Sequence, residues 1–236
     1  MRNYIILNGK KSTDITGLLI QSLPPISKPK IRTQIEEIDG RDGDIITPLG
    51  YSAYDKEFSI GLFGDYDIDD VIQYFDSNGN VIFSNEEDKY YNFQIIDQID
   101  FERLIRFKTA TVRMHVQPFK YSSVEGTQIF NITNQTSINV INNGNMYSRP
   151  IITIYGEGTI NLSLNGNQLF VINLGDNQQI TIDTNLMEAY NSDTQLLMNR
   201  LVTGNYDNFK LNLGTNTISW TGTITQIKVE NYSRWI

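Results

Sequence analysis

The stretch INLSLNGNQLFVIN, Ile160 to Asn173, decides the fold class of the second half of the chain. Ile160, Leu162 and Leu164 alternate with Asn161, Ser163 and Asn165, the two-residue period of a strand with one buried face and one wet face. Asn165-Gly166 follows at once. Both central positions of a type I′ turn need positive φ, which Asn and Gly tolerate, so the pair predicts a tight hairpin with Gln168 to Asn173 as its returning strand. The alternation continues through Ile180 and Ile182, Leu211 and Leu213, Ile218 and Trp220, then Ile224, Ile227 and Val229. Many short strands divided by Gly and Asn turns predict a β-sandwich or jelly roll. Leu186 to Leu201 could hold a helix, but Asn191 and Ser192 in its middle weaken that reading.

Upstream the composition changes. Of 19 basic and 27 acidic residues, 14 and 19 lie within residues 1–120. The remainder is rich in Asn, Thr, Ile and Leu, as in FNITNQTSINVINNGN, where Asn alternates with apolar residues as strands do and as low-complexity tracts do not. The change falls in YSSVEGTQ, Tyr121 to Gln128, which predicts one domain over residues 1–122 and a second over 123–236. In the first, EFSIGLF (Glu57 to Phe63), YYNFQIIDQI (Tyr90 to Ile99) and ATVRMHV (Ala110 to Val116) read as strands. Between the first two, Ile68, Val71, Ile72 and Phe75 form an i, i+3, i+4, i+7 stripe, a short helix near 67–77 ended by Asn78-Gly79. SNEEDK, Ser84 to Lys89, reads as a turn.

The totals exclude several kinds of work. A net charge of −8 argues against a chain whose task is gripping nucleic acid or anionic membrane, since phosphate binding is driven by Lys and Arg. With no cysteine there is no disulfide framework, thiolate nucleophile or Cys-based zinc site. The apolar run at the N-terminus, Ile5 to Leu7, is too short for a secretory signal, and Ile15 to Ile20 is too short and interrupted to span a bilayer. The expectation is a soluble, unexported chain.

Two acidic stretches invite a metal. EEIDGRDGDII, Glu36 to Ile46, fails the EF-hand pattern in both registers: starting at Asp39 the third position is Arg41, and starting at Asp42 the fifth is Ile46. Asp39-Gly40 and Asp42-Gly43 read instead as turn formers that reverse the extended segment Ile31 to Ile38. Asp65, Asp67 and Asp69 fit positions one, three and five of a second candidate and Asp76 the twelfth, but Asp70 stands where Gly is required. Carboxylates in a helix's first turn complement its dipole and explain the same residues. The lone His115 lies in an alternating strand, and no nucleophile elbow, phosphate loop or dinucleotide fingerprint occurs. A carboxylate pair for glycoside hydrolysis needs only spatial proximity, and nothing marks any two here. Four sequons, at Asn131, Asn134, Asn161 and Asn231, are what an Asn-rich chain yields by chance. Trp220, Trp235 and the tyrosines could stack on sugars, though core packing is the commoner fate of a Trp in an alternating strand. The expectation is a protein that is not an enzyme, with no catalytic, cofactor or metal residues.

The order of segments is more telling than any one motif. An extended N-terminus leads to IDGRDGDII, then a strand, the DDVIQYF helix, SNEEDKYYNFQI and ATVRMHVQPFKYS. NNGNMYSRPIITIYGEGTINLSLNG, LLMNRLVTGNYDNFKLNLGTNTISWTG and the closing SRWI follow. This order resembles the distal tail protein (Dit) family of long-tailed bacteriophages and prophages over nearly the whole chain. The resemblance implies an N-terminal domain that builds a hexameric ring at the distal end of the virion's tail and a galectin-like C-terminal β-sandwich. It also implies partners: further copies of the chain, the tail-tube protein, and the tail fibre or tail-associated lysin, together with the receptor-binding apparatus. DNA would pass through an acidic lumen without specific binding, because repelled phosphates make no counterion-releasing contacts. The basic strip Lys28, Lys30 and Arg32 and the acidic loop of Glu36, Asp39, Asp42 and Asp44 with Arg41 are the candidate ring contact. The alternative is a carbohydrate-binding sandwich module that recognises host glycans, which requires an exposed aromatic platform or a polar groove. An acidic hydrolase is a third reading.

Overall fold

The computed structural model describes residues 2–236, with the backbone alone at 176 and 177. Met1, the first residue of the expected ring-forming domain, lies outside the described residues. The chain is mainly β and divides into two compact units, residues 2–123 with Ile236, and Val124–Trp235.

The N-terminal unit contains β1 (Ile5–Leu7), β2 (Lys10–Lys11), β3 (Leu18–Ile20), β4 (Ile31–Glu37), β5 (Asp44–Tyr51), β6 (Tyr54–Leu62), helix α1 (Ile68–Phe75), β7 (Asn78–Phe83), β8 (Lys89–Gln94), helix α2 (Phe101–Phe107) and β9 (Thr109–Ser122). Its main sheet runs β2-β1-β7-β8-β9-β6-β3, with antiparallel neighbours throughout. Period two sorts the side chains. Phe58, Ile60 and Leu62 of β6 and Val112, Met114 and Val116 of β9 enter the core. On the opposite face Asp55 and Glu57 meet Arg113 and His115: Arg113 Nε lies 2.8 Å from Glu57, and His115 Nδ1 lies 2.8 Å from Asp55. His115 thus lies on an exposed, hydrogen-bonded polar face.

Helix α1 forms where the apolar spacing places it. Asp67 caps its N-terminus, accepting a hydrogen bond from the Asp69 backbone N–H at 2.9 Å, with Asp69 and Asp70 in the first turn. The buried members are Val71, Tyr74 and Phe75; Ile68 packs at the margin and Ile72 is largely exposed. Tyr74 takes the inner place because its hydroxyl finds partners, the carbonyls of Ile5 and Lys10, each at 3.2 Å. Burial pushes its phenol well above the usual tyrosine range. The helix ends at Asp76, and Asn78-Gly79 begin β7, Gly79 at φ 125. That φ is one an L side chain rarely adopts, so glycine suits the position.

The expected strand over Tyr90–Ile99 stops at Gln94, and the chain then forms the additional helix α2. Asp100 caps it through the Arg103 N–H at 2.8 Å, Lys108 closes it in the left-handed conformation, and Leu104 is its buried anchor. Seven residues with a single buried side chain leave little helical periodicity to read.

The C-terminal unit is a β-sandwich made by bending three long strands. Its elements are β10 (Thr127–Asn131), β11 (Ser137–Asn142), β12 (Ile151–Leu164), β13 (Asn167–Asp183), β14 (Glu188–Tyr190), β15 (Val202–Gly204) and β16 (Gly214–Glu230). The first half of β12, the second halves of β13 and β16, and β10 and β14 make one layer. The other halves of the same three strands, with β11 and β15, make the second. Register shifts at Gly156–Gly158 and between Glu157 and Asn161 mark the bend. Gly222 sits in it at φ 99, where a Cβ would lie 2.3 Å from the Thr159 carbonyl oxygen. The Asn165-Gly166 turn has φ of 51 and 83, as a type I′ turn requires. Trp220 is a core residue, 5% exposed and paired across the ladder with Leu162. Residues 186–201 form β14, turns and a short 3-10 segment in place of a helix. Leu211 is buried and forms an isolated bridge with Ser148, while its expected partner Leu213 faces solvent.

Candidate functional site

The feature that stands apart from both cores is the β4–β5 hairpin, a two-stranded sheet of its own. It forms for local reasons. Asp39-Gly40 and Asp42-Gly43 turn the chain, the glycines at φ 81 and 76, and Ile35 faces Ile46 across the ladder. Cross-strand partners share a face, so Ile31 with Tyr51, Thr33 with Pro48 and Ile35 with Ile46 line one side. Glu37 and Asp44 continue that side at the tip, while Arg32, Gln34, Glu36, Thr47 and the partly buried Ile45 occupy the other. The first side is apolar up to its acidic end, and nothing among the described residues of the N-terminal unit covers its central pair: Ile35 is 57% and Ile46 60% exposed. Leu49, at the register shift of the ladder, and Ile38, beyond the end of β4, are exposed as well. Pro48, which cannot donate a ladder hydrogen bond, sits in a strand whose outer edge is unpaired among the described residues.

The charged residues singled out from the sequence all fall on or beside this hairpin, but at opposite ends. Lys28 and Lys30 precede β4, and Arg32 lies one residue into it, with Nη2 3.5 Å from the Leu49 carbonyl. Glu36 is near the far end of β4, where it accepts a hydrogen bond from Gln34 Nε2 at 2.6 Å. Asp39, Arg41 and Asp42 occupy the turn and Asp44 opens β5. None of these eight joins an ion pair among the described residues. From Arg32 to Glu37 the strand climbs roughly 17 Å, at about 3.4 Å per residue. The result is a strip with a basic base and an acidic tip. Sequence reasoning found the charges and missed the apolar face, although Ile31, Ile35 and Ile46 carry a strand's spacing.

The base is tethered on both sides. Ser52 and Ala53 lead directly into β6, and the Ser52 N–H donates to the Lys30 carbonyl at 2.8 Å. On the other side runs an irregular strap, Gln21 to Lys30, in which Pro24 and Pro29 are buried. Lys56 is 3% exposed because the period of β6 turns it to the core side with Phe58 and Ile60. Its ammonium lies 2.9 Å from the Pro25 carbonyl and 4.7 Å from the centre of the Tyr91 ring. Nearby, Glu86 holds Lys120 at 2.7 Å and accepts the Tyr91 hydroxyl at 2.6 Å. Burial lowers the Lys56 pKa to about 8, with Glu86 opposing and Lys120 reinforcing the fall. Burial, then the Glu86 hydrogen bond, push the Tyr91 phenol up.

Comparison with known proteins gives a match in structure alone: no family model matches the chain, and no curated protein does. The Dit (gp 19.1) protein of phage SPP1, described as a paradigm of the hub adsorption apparatus in phages infecting Gram-positive hosts, superimposes with a TM-score of 0.70 at 17% identity, covering 100% of both chains. A chain of the phage P2 baseplate in its activated conformation with Ca follows at TM-score 0.50 and 12% identity, covering 98% of each. At such identities the agreement is one of fold, and that fold, across both units, is the fold of a distal tail protein of the Dit type.

Proposed function

We propose that this chain is a structural hub of a phage tail tip, located in the virion, whose N-terminal unit assembles with further copies of itself into a closed ring. The hexameric form, and the joining of the tail-tube protein to a fibre or tail-associated lysin and the receptor-binding apparatus, are carried over from the distal tail family. So is the assignment of residues 1–122 to the ring and 123–236 to the outer sandwich. The observation that carries the proposal is the hairpin. An isolated two-stranded hairpin is marginally stable in water, and this one exposes an apolar face that a monomer has no use for. Its occupant is a second copy of the chain, because its two ends complement each other. The acidic tip, Glu36, Asp39, Asp42 and Asp44, matches the basic base, Lys28, Lys30 and Arg32, of a neighbour. A contact between two different patches is heterologous and closes into a ring when the rotation allows. The apolar face supplies most of the free energy, and the charges set orientation and on-rate.

Electron microscopy of native tail tips tests this. The expected image is an axial ring in which each hairpin lies on the adjacent subunit. Single subunits or isolated two-fold dimers in the particle would overturn it.

A further inference from the structure

We propose that Lys56 is a clasp: its buried ammonium, seated against aromatic ring faces, grips the Pro25 carbonyl and so sets the direction in which the β4–β5 hairpin leaves the N-terminal unit. The start of the strap is pinned at Gln21 and Ser22, where the Thr109 hydroxyl donates to Gln21 Oε1 at 2.8 Å and the Ser59 N–H to Ser22 Oγ at 2.9 Å, and its middle is held by fewer bonds. Asn85 Nδ2 donates to the Pro24 carbonyl at 3.3 Å, the Tyr54 hydroxyl to the Ser27 carbonyl at 3.4 Å, and the backbone N–H of Gln21 to the Ser59 carbonyl at 2.8 Å. The Lys56 bond at 2.9 Å is the charge-assisted one, the stronger kind. It is also an unexpected choice for a buried site, where a methionine of similar length would avoid the desolvation of an ammonium. An apolar residue could fill this space but could not hold a carbonyl in one direction.

The groups facing the ammonium decide its proton dependence. Tyr91, Tyr54 and Phe83 present rings at 4.7, 5.6 and 5.8 Å, Glu86 favours the charge and Lys120 opposes it. With the folded pKa lowered to about 8, the clasp loses its charge about one unit above neutrality. The folded state then binds fewer protons than the unfolded chain between about pH 8 and the ordinary lysine value near 10.4, so this group adds to global stability as pH rises through that window. Grip on the strap moves the other way. The two responses have opposite signs, which separates a clasp from a merely structural lysine.

The absence of cysteine makes the test direct. Spin labels placed by Thr47→Cys on the hairpin and Thr111→Cys on the sheet report the hairpin's direction in the full chain. The expected result is a narrow distance distribution at pH 7, broadened at least twofold in width by Lys56→Met, while the melting temperature holds or rises. Wild type at pH 9.5 should broaden as well, and Lys56→Arg, which stays charged, should not respond to pH. Identical distributions for wild type and Lys56→Met would overturn the clasp. If Lys56→Met does not fold, an unchanged wild-type distribution from pH 7 to 9.5 would overturn it. The consequence for subunit pairing rests on the hairpin being a contact between copies. The distance measurement does not, so the two readings can fail separately.

Discussion

Replacing Ile35 and Ile46 together by serine should break subunit association and leave the fold intact. The two are direct cross-strand partners on the exposed face of the hairpin, 57% and 60% exposed. Full burial of an isoleucine stabilises by about 1.5–3 kcal/mol. A little over half of that remains to be gained on docking, about 1–1.7 kcal/mol each and roughly 2–3.5 kcal/mol for the pair. At about 1.4 kcal/mol per factor of ten, each subunit contact should weaken roughly 30- to 300-fold. Every contact in the proposed ring would use one hairpin, so each is weakened once. The isolated subunit should melt within about 2 °C of wild type, because surface substitutions usually stay within about 0.5 kcal/mol. Sedimentation velocity over a concentration series reads the association directly. Competition between labelled variant and wild type for incorporation into tail tips reads it where the free protein is monomeric. A variant incorporated as efficiently as wild type would refute the reasoning, as would one that melts like a core mutant.

Other outcomes follow from the cores and caps. Trp220→Ala should cost about 3–5 kcal/mol, the usual penalty for deleting a buried large aromatic, and lower the melting of the C-terminal unit in calorimetry by roughly 12 °C or more. A Trp220→Ala protein that melts normally but loses binding on a glycan array would favour the carbohydrate-binding reading. Asp67→Ala should cost about 1 kcal/mol through loss of the α1 cap. Millimolar calcium should leave the wild-type melting temperature nearly unchanged, and a rise of several degrees abolished by Asp67→Ala would show a bound ion. Gly166→Ala, at φ 83, should cost about 1–2 kcal/mol as the price of a left-handed alanine, visible as a shift of the urea midpoint without a change in slope.

Local chemistry is what the sequence determined. The I′ hairpin at Asn165-Gly166, the α1 helix with its Asp67 cap and the turns at Gly40 and Gly43 are each specified by residues within a few positions of one another. Period two put Trp220 inside and Arg113 outside for the same reason. Where the signal was short it failed. Helix α2 buries one residue, and Tyr74 replaced Ile72 on the inner face because two distant carbonyls, from β1 and β2, were there to accept its hydroxyl. Sequence alone assigned eight charged residues to one contact, but only the folded hairpin showed that base and tip are separated by the length of a strand. The tertiary structure also decided that β12, β13 and β16 each serve two layers, since bending depends on where Gly156 and Gly222 meet a neighbouring backbone. Lys56 is the clearest case. Its alternation with Phe58 and Ile60 would have argued for burial, its charge for exposure, and the decision fell to Pro25, Tyr91 and Glu86, which the fold brings from three other segments.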